Sequence, residues 1–267
     1  MSAAAQPSLG HDDLFDLTGK VALITGSTRG IGLGIAKHFA RHGARVVVSS
    51  RKADACEAAR ADIAESGGEA IALPCNISYK DQLQALVNQT LAHWNAIDIV
   101  VCNAAVNPYF GPLANIPDDA YDKIMDSNVR SNLWLCNMAF PHVAERGGGA
   151  AIIISSIAGI KGTKLLGAYG LSKAADSALA RNLAVEWGPK NVRVNAIAPG
   201  IIKTDFAKAL YENPQTEKYV LRQYPLGRLG ETDDIAGVAV MLASRAGAFI
   251  TGQTIVVDGG TTIGGFE

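Results

Sequence analysis

The sequence predicts an α/β fold in which a doubly wound, seven-stranded parallel sheet is covered by helices on both faces. The first observation is that short β-branched runs alternate with longer helix-like segments along most of the 267 residues. This alternation is typical of repeated β-α-β units. The second observation is that most of the short runs are continuously apolar, as expected for strands buried on both faces.

Seven runs are predicted strands, and six segments between them are predicted helices. The strands in chain order are VALIT at Val21, RVVVSS at Arg45, AIALP at Ala70, IDIVVC at Ile97, AAIIISS at Ala150, VRVNAIA at Val192 and TIVVD at Thr254. The helices are expected at residues 31–42, 53–66, 80–94, 120–146, 168–187 and 233–243. A long, weakly structured stretch at about 201–231 interrupts the alternation. Since such connections are often functional, it is a predicted substrate lid, with a variable surface insertion as the alternative.

No linker divides the chain, so we expect one catalytic domain over residues 17–267 after a flexible polar tail at 1–16. The tail lacks the basic start and apolar core of a secretory signal. No run reaches the roughly 18 apolar residues of a membrane helix. The net charge of −1 gives no electrostatic reason for binding nucleic acid or a membrane surface. We therefore expect a cytoplasmic protein.

The cysteines are widely spaced and form no CxxC motif or Cys/His cluster, so neither a metal site nor a disulfide framework is predicted. Buried free thiols in a reducing compartment are expected instead. The four residues are Cys56, Cys75, Cys102 and Cys136.

A glycine-rich segment, TGSTRGIG at residues 25–32, directly follows the first predicted strand and opens the first predicted helix. Glycine lets the backbone turn sharply and approach a pyrophosphate, and the helix N-terminus favours the negative charge. In this context the segment predicts a Rossmann-like dinucleotide site, although its spacing is GxxxGxG and not GxGxxG. The predicted cofactor contacts here are Gly26, Ser27, Thr28, Arg29, Gly30, Ile31 and Gly32.

The end of the second strand predicts which nucleotide binds. NAD sites usually place an acid there against the ribose hydroxyls, but this chain has Ser50, Arg51 and Lys52. Arg51, helped by its two neighbours and by Arg29, would complement a 2′-phosphate. This favours NADP (NADPH). If these basic residues are only solvated loop ends, NAD remains possible.

The catalytic prediction rests on Tyr169 and Lys173, four residues apart in AYGLSKAA, and on Ser156, thirteen residues before the tyrosine. Reduction of a carbonyl needs a hydride donor, a proton donor at the oxygen and a group that holds that oxygen. Tyrosine can donate the proton if its phenol pKa, about 10 when unperturbed, is brought toward neutrality. A lysine one helical turn away favours the phenolate. Ser156 would donate a hydrogen bond to the developing oxyanion.

Together with PGIIKT at 199–204 and an Asn-Ala pair at Asn103, these motifs occur in an order that resembles the short-chain dehydrogenase/reductase family, over about 17–260. The resemblance implies that Asn128 completes a catalytic tetrad and holds a water between Lys173 and solvent. It also implies that Lys173 binds the nicotinamide ribose. The cofactor contacts it adds are Asn103 and Ala104 along the adenosine ribose, and Pro199, Gly200, Ile202 and Thr204 at the nicotinamide.

Two further implications follow from the family. Its members pair through the helices that carry Asn128 and Tyr169, so a homodimer or homotetramer is expected. More narrowly, VVVSSRK with NAAVNPYFG is similar to the NADPH-dependent carbonyl and retinal reductases of the dehydrogenase/reductase member 4 type. The chain departs from the usual pattern at Ala105, where the family has glycine. It departs again at Asn76, where an aspartate usually faces the adenine amine; Asn76, with Ile77 beside it, is the predicted adenine contact.

The predicted function is reversible hydride transfer between NADP(H) and the carbonyl or secondary alcohol of a small, apolar ketone or aldehyde. Val106 and Leu166 would line the substrate beside Ser156 and Tyr169. The alternatives are an NAD-dependent alcohol dehydrogenase, a 3-oxoacyl thioester reductase or, more remotely, a non-catalytic NADP-binding sensor. A serine hydrolase is excluded by order, because no histidine follows Ser172 in GLSKA.

Overall fold

The computed structural model describes residues 14–264, with the backbone alone at 209, 210, 214, 216, 217 and 219. Its strands form one fully parallel sheet in the order β3-β2-β1-β4-β5-β6-β7. The predicted fold class is thereby confirmed. The strands are β1 Val21–Thr25, β2 Arg45–Ser49, β3 Glu69–Ala72, β4 Ile99–Cys102, β5 Gly149–Ile154, β6 Val192–Pro199 and β7 Thr254–Val257.

Among residues 14–264, eight α-helices connect the strands and surround the sheet. They are α1 Gly30–Arg41, α2 Ala53–Glu65, α3 Lys80–Trp94, α4 Asp118–Met125, α5 Ser131–Glu145, α6 Gly167–Trp187, α7 Pro214–Leu221 and α8 Thr232–Ala243. Side chains of α1, α2 and α8 pack on one face of the sheet. Side chains of α3, α5 and α6 pack on the other. The strands are therefore buried on both faces, which explains why their sequences do not alternate.

Two predicted elements differ from the structure. The single helix expected at 120–146 is interrupted, since a π-helical segment, Asp126–Arg130, separates α4 from α5. A π-helical turn inserts a residue into the helical repeat, which hydrophobic spacing alone does not reveal. The segment at 201–231 is not weakly structured. It contains a 3₁₀ helix, Asp205–Leu210, followed by α7, whose first position holds Pro214 as helix starts often do.

The strand order reverses between β1 and β4, because β2 and β3 extend to one side of this pair and β5 to β7 extend to the other. Ligands of doubly wound sheets bind in the crevice at the carboxyl ends of the strands at such a reversal. The loops after β1, β4, β5 and β6 all meet this edge. In that order they hold the glycine segment, the Asn103 pair (residues 103 and 104), Ser156 and the Pro199 run (residues 199–204).

Of the predicted tail, residues 1–13 lie outside the described residues. Leu17, directly after the tail, is buried in the core. Among residues 14–264, no helix is both long enough and apolar enough to cross a membrane. All four cysteines are buried and none forms a disulfide.

Candidate active site

The loop after β1 is shaped by glycines that no other residue could replace without strain. Gly26 and Gly30 have φ values of +65° and +54°, a region that favours glycine. A Cβ on Gly32 would collide with the backbone oxygen of Gly26 and lie 2.5 Å from the amide nitrogen of Asn103. The backbone therefore turns directly from β1 into the N-terminus of α1. This loop, the glycine cradle, suits an anion because it ends at a helix N-terminus.

Asn103 holds this loop in place from the neighbouring strand. Its side-chain amide donates hydrogen bonds to the carbonyls of Thr25 and Gly26, each 2.9 Å long. In return, the Thr25 hydroxyl oxygen accepts from the backbone N–H groups of Asn103 and Ala104. The Asn103 amide thus has a structural task at the strand reversal. The contact of this pair with the adenosine ribose stays a prediction.

The remaining residues of the glycine segment differ in burial, and Thr28 and Ile31 are half-buried. Ser27 is fully buried, where its hydroxyl donates to the Ile24 carbonyl and accepts from the Ser49 N–H, so it joins β1 to β2. Only its backbone remains for a ligand. Arg29 is mostly exposed and lies 3.6 Å from the Asp205 carboxylate. This ion pair links the glycine loop to the segment after β6.

Arg51 and Lys52 are exposed at the carboxyl end of β2. Within residues 14–264, neither side chain has a hydrogen bond or an ion pair. Ser50 lies just before them and is held by Cys56, whose sulfur accepts from the Ser50 N–H at 3.1 Å. Two unpaired cations therefore lie beside the crevice at the position that contacts the adenosine ribose in doubly wound folds.

At the end of β3, the Asn76 side-chain oxygen accepts from the Ser78 N–H at 3.2 Å. The Asn76 backbone N–H donates to Gln82. Because an amide oxygen has two lone pairs, one remains for the predicted adenine contact. Ile77 is partly buried against the core cluster of the α3 face.

The Pro199 run lies on the other side of the glycine loop. A Cβ on Gly30 would lie 3.2 Å from the Thr204 methyl group, so these two segments face each other across the crevice. Gly200 donates its N–H to Val257 and closely approaches the backbone of Asp258. Ile202 is buried in the hydrophobic core. Its side chain is therefore committed to packing, and its contact with the nicotinamide stays a prediction.

Ser156 follows β5 and caps the short 3₁₀ helix Ile157–Gly159. Its hydroxyl oxygen accepts a hydrogen bond from the Ala158 N–H at 3.1 Å. Because the hydroxyl accepts in this contact, its own hydrogen remains available to a substrate oxygen. The capping contact thus fixes the serine side chain while leaving its donor free.

This serine turn lies tightly against α6 because two glycines permit it. A Cβ on Gly159 would lie 2.6 Å from the backbone of Lys173, and one on Gly170 would lie 2.6 Å from the Ala158 carbonyl oxygen. The hydroxyl of Ser155 also donates to the Lys173 carbonyl at 2.7 Å. The loop after β5 and the helix that carries Tyr169 are therefore held in one fixed relation.

Tyr169 and Lys173 lie one turn apart on α6, as predicted. The Lys173 ammonium lies 5.6 Å from the centroid of the Tyr169 ring. It is almost fully buried and donates hydrogen bonds to the Ile154 carbonyl at 2.8 Å and to the Asp176 carboxylate at 2.9 Å. Burial opposes its charge, but Asp176 and Tyr169 outweigh that effect and hold the pKa of Lys173 above its usual value.

Asn128 is fully buried in the π-helical segment. Its side chain accepts from the Val106 N–H at 2.8 Å and donates to the Val106 carbonyl at 3.0 Å. It also donates to the Ser172 hydroxyl on α6 at 3.0 Å. The structure thus brings Asn128 next to the catalytic helix. Its predicted contact with a water stays a prediction.

On the substrate side, Val106 is held by Asn128, and Leu166 precedes the first residue of α6. The bridge between Gly111 and Leu166 joins the loop after β4 to this helix start. Sequence reasoning missed Phe206, an exposed side chain whose ring centroid lies 6.1 Å from that of Tyr169. Its position two residues after the Pro199 run was the available signal.

A second missed residue is Asp176, which is completely buried beside Lys173. Its spacing of three residues from the lysine places both on one helix face, and that spacing was visible in the sequence. Among residues 14–264, no group of three or more His, Cys, Asp or Glu side chains is arranged to hold a metal ion.

The residues present fit a nicotinamide dinucleotide. At the strand reversal the glycine loop leads into the N-terminus of α1, and a Cβ on Gly32 would displace this loop by colliding with the Gly26 carbonyl. A helix N-terminus offers backbone N–H groups that have no partner within the helix, as a pyrophosphate requires. Free cations lie at one end of the crevice, and Ser156, Tyr169 and Lys173 lie at the other.

The chain is similar to several known proteins over nearly its whole length. Residues 26–262 match a family model described as enoyl-(acyl carrier protein) reductase. The dehydrogenase/reductase SDR family member 4 of Oryctolagus cuniculus is 41% identical over 244 residues, which cover 91% of this chain and 94% of that protein.

Solved structures agree with this similarity. A 7α-hydroxysteroid dehydrogenase complexed with NADH and 7-oxo glycochenodeoxycholic acid has a TM-score of 0.91 at 37% identity, covering 97% of this chain and 99% of that one. A gluconate 5-dehydrogenase from Burkholderia cenocepacia, in complex with NADP and tartrate, has a TM-score of 0.92 at 30% identity, covering 96% and 100%. This chain is an oxidoreductase that belongs to the short-chain dehydrogenase/reductase family.

Proposed function

We propose that this protein catalyses reversible hydride transfer between NADP(H) and the carbonyl or secondary alcohol of a small, apolar ketone or aldehyde. The observation on which the proposal rests is the placement of Ser156, Tyr169 and Lys173. In support, the Ser156 turn packs tightly on α6, the helix that carries Tyr169 and Lys173, and the Ser156 hydroxyl keeps its own hydrogen for a ligand. These three residues lie at the sheet edge that also holds the glycine cradle.

Each of the three side chains then has a task. Ser156 donates its free hydroxyl hydrogen to the substrate oxygen and stabilises the charge that develops there. Tyr169 gives a proton to that oxygen during reduction and takes one from the alcohol during oxidation. Lys173 favours the phenolate by its charge. The bound nucleotide supplies or accepts the hydride at the substrate carbon.

The preference for NADP rests on Arg51 and Lys52, the two exposed cations after β2. An arginine side chain can form two parallel hydrogen bonds to a phosphate. No carboxylate lies at 50–52 to bind a ribose hydroxyl pair. The similar structures were solved with either NADH or NADP, so the proposal depends on this chain's own residues.

The substrate class rests on the apolar surroundings of Tyr169. The Phe206 ring lies next to it, and Leu165 and Leu166 lie at the start of its helix, where Leu165 and Phe206 are exposed to solvent. Exposed apolar side chains around a polar catalytic group favour an apolar ligand over a sugar. The steroid ketone named with one similar structure has this character.

The test is a set of initial rates with NADPH and with NADH against apolar ketones, diketones, aldehydes, an acetoacetyl thioester and gluconate. We expect NADPH with an apolar ketone or aldehyde to be fastest. Faster rates with NADH would replace the proposal with an NAD-dependent alcohol dehydrogenase, and a preference for the thioester would indicate a 3-oxoacyl thioester reductase. Nucleotide binding without turnover on any carbonyl would indicate a sensor.

We also propose that the chain forms a homodimer or homotetramer in the cytoplasm. Large apolar side chains are exposed on α6 at Leu171 and Val185, and near the edge strand β7 at Phe249, Val256 and Ile263. Exposed large apolar side chains favour association, and buried free thiols are typical of a reducing compartment. Light scattering of the purified protein and cell fractionation test the two statements.

A further inference from the structure

Asp176 is a fully buried carboxylate for which the proposed chemistry has no task. It lies on α6 three residues after Lys173, and its Oδ2 accepts a hydrogen bond of 2.9 Å from the Lys173 ammonium. Its Oδ1 accepts a second hydrogen bond of 2.9 Å, from the side-chain amide of Asn132 on α5. Both carboxylate oxygens are therefore engaged.

The pairing restricts the direction in which Lys173 can act. An ammonium has three N–H donors. One is bound by the Ile154 carbonyl at the end of β5 and one by Asp176. Because these two contacts lie in the protein interior, only the third donor remains for the crevice where Tyr169 lies.

Asn132 extends the pairing to the π-helical segment. The same amide nitrogen that donates to Asp176 also donates to the Asn128 carbonyl at 2.6 Å. Asn128 in turn donates to Ser172, whose hydroxyl donates to the Tyr169 carbonyl. Two chains of hydrogen bonds therefore join the Asn128 segment to α6, and one of them passes through Asp176.

The thiols that face this pair from other elements do not balance the charge of Lys173. Cys102 faces the pair from β4, and Cys136 on α5 contacts Cys102 with a sulfur–sulfur distance of 3.9 Å. Tyr169 lies on the same helix as the pair. The contact with Cys136 and complete burial hold the pKa of the Cys102 thiol well above its usual value, so it stays neutral. Among residues 14–264, Asp176 is thus the carboxylate that balances the ammonium.

We propose that Asp176 is a positioning residue that keeps Lys173 charged and fixed, with its last free donor aimed at the crevice, so that Lys173 can serve Tyr169. The inference rests on the proposed function, because it assigns Asp176 to the same hydride-transfer site. Burial raises the pKa of the Asp176 carboxyl, and Lys173 and Asn132 oppose that effect. An amide in its place would retain the shape but remove the balancing charge.

The experiment compares Asp176→Asn with Asp98→Asn as a matched control. Asp98 is equally buried and pairs with Arg146 at 2.9 Å, but it precedes β4 and lies at the opposite edge of the sheet. The readouts are the pH profile of alcohol oxidation and the KM for the nucleotide, with the coenzyme and alcohol that the wild type prefers.

We expect Asp176→Asn to move the high-pH loss of activity down by about one pH unit or more, because an unbalanced buried ammonium loses its proton more easily. The nucleotide KM should rise by about tenfold, as one lost hydrogen bond to a charged group implies. Asp98→Asn should reduce thermal stability without changing either value. An unchanged pH profile in Asp176→Asn overturns the proposal, whatever its melting temperature.

Thermal melts provide a test that does not depend on turnover. Removing one member of a buried ion pair is strongly destabilising, whereas removing both is often tolerated. Asp176→Asn combined with Lys173→Met should therefore melt above Asp176→Asn alone. If Asp176→Asn does not fold alone, the double variant should still fold. A double variant that melts no higher than Asp176→Asn, or that also fails to fold, overturns the pairing. If the wild type reduces no carbonyl, the proposed function falls and the positioning role of Asp176 falls with it, whatever the melts show. If the wild type is active but the pH profile of Asp176→Asn is unchanged, only the role of Asp176 falls.

Discussion

The Phe206 ring lies beside the Tyr169 ring, with 6.1 Å between the ring centroids and a tilt of 40° between the ring planes. Phe206 lies on the 3₁₀ helix Asp205–Leu210, within the segment that the sequence predicts as a lid. Because the side chain is exposed in this structure, an apolar substrate beside Tyr169 would cover part of it.

The first prediction follows from this contact. Phe206→Ala should raise the KM for an apolar ketone by about tenfold, since the loss of a buried aromatic contact costs about 1.5–3 kcal/mol. Steady-state kinetics with a small and a bulky ketone measure the change. Phe15→Ala, at an exposed position before β1, is the control and should leave the KM unchanged. A similar KM in both variants would remove Phe206 from the substrate site.

The second prediction concerns proton transfer. Tyr169→Phe should reduce kcat by about 10²–10⁴-fold, because a single general acid contributes that much, while nucleotide binding should persist. Fluorescence titration with NADPH and turnover assays measure the two effects. The control is Tyr79→Phe, which removes the hydroxyl of an exposed tyrosine. More than about a tenth of wild-type activity in Tyr169→Phe would assign the proton donor to another group.

The third prediction concerns nucleotide choice. Arg51→Asp should lower kcat/KM with NADPH by about 10–100-fold, since a hydrogen bond to a charged group contributes about 1.5–3 kcal/mol. Rates with NADH should fall little or rise, because aspartate can accept from ribose hydroxyls. Arg41→Asp, at the last residue of α1, makes the same charge change away from the nucleotide. Equal losses with both coenzymes would contradict the assignment of Arg51.

The fourth prediction concerns the glycine cradle. Gly32→Ala should abolish nucleotide binding, because its Cβ would collide with the Gly26 carbonyl and force the loop to move. Gly237→Ala is the matched control on α8, where a Cβ meets nothing within 4 Å. That substitution should stabilise the protein by about 0.5–1 kcal/mol, through the helix preference for alanine. Calorimetric titration with the nucleotide measures binding by both variants, and thermal melts measure their stability.

The fifth prediction concerns pH and the end of the predicted lid. Arg228 donates to both oxygens of Asp234, at 2.6 and 2.8 Å, and the same carboxylate accepts from the Glu231 N–H at the start of α8. These hydrogen bonds, led by the one from Arg228, lower the pKa of Asp234 to about 2. Since the folded-state pKa is below the unfolded value, the stabilisation is present above about pH 4 and is lost as the pH falls toward 2.

Asp234→Asn should therefore lower stability near neutral pH by about 1 kcal/mol, a value typical for a lost helix cap and a partly exposed ion pair. The difference from the wild type should shrink as the pH falls. Asp233→Asn, an exposed neighbour, is the control. A stability difference that does not change between neutral pH and the acid range would contradict the linkage.

Much of this protein was predictable from the sequence because its signals are local. VALIT, the glycine spacing and the Tyr169–Lys173 pair each depend on residues close in the chain, and the strand bounds shift by only one or two residues in the structure. Parallel strands buried on both faces also require continuous apolar runs. The sequence alone therefore determined the fold class and the family, and it predicted the catalytic side chains.

Contacts between distant segments were decided only by the tertiary structure. The π-helical segment that buries Asn128, the commitment of the Asn103 amide to the glycine loop and the pairing of Asp176 with Asn132 on another helix all join residues far apart in sequence. Residue spacing predicts which side of a helix or strand a side chain occupies, but packing decides what it touches there. For that reason the sequence identified Lys173, and only the fold revealed the carboxylate that holds it.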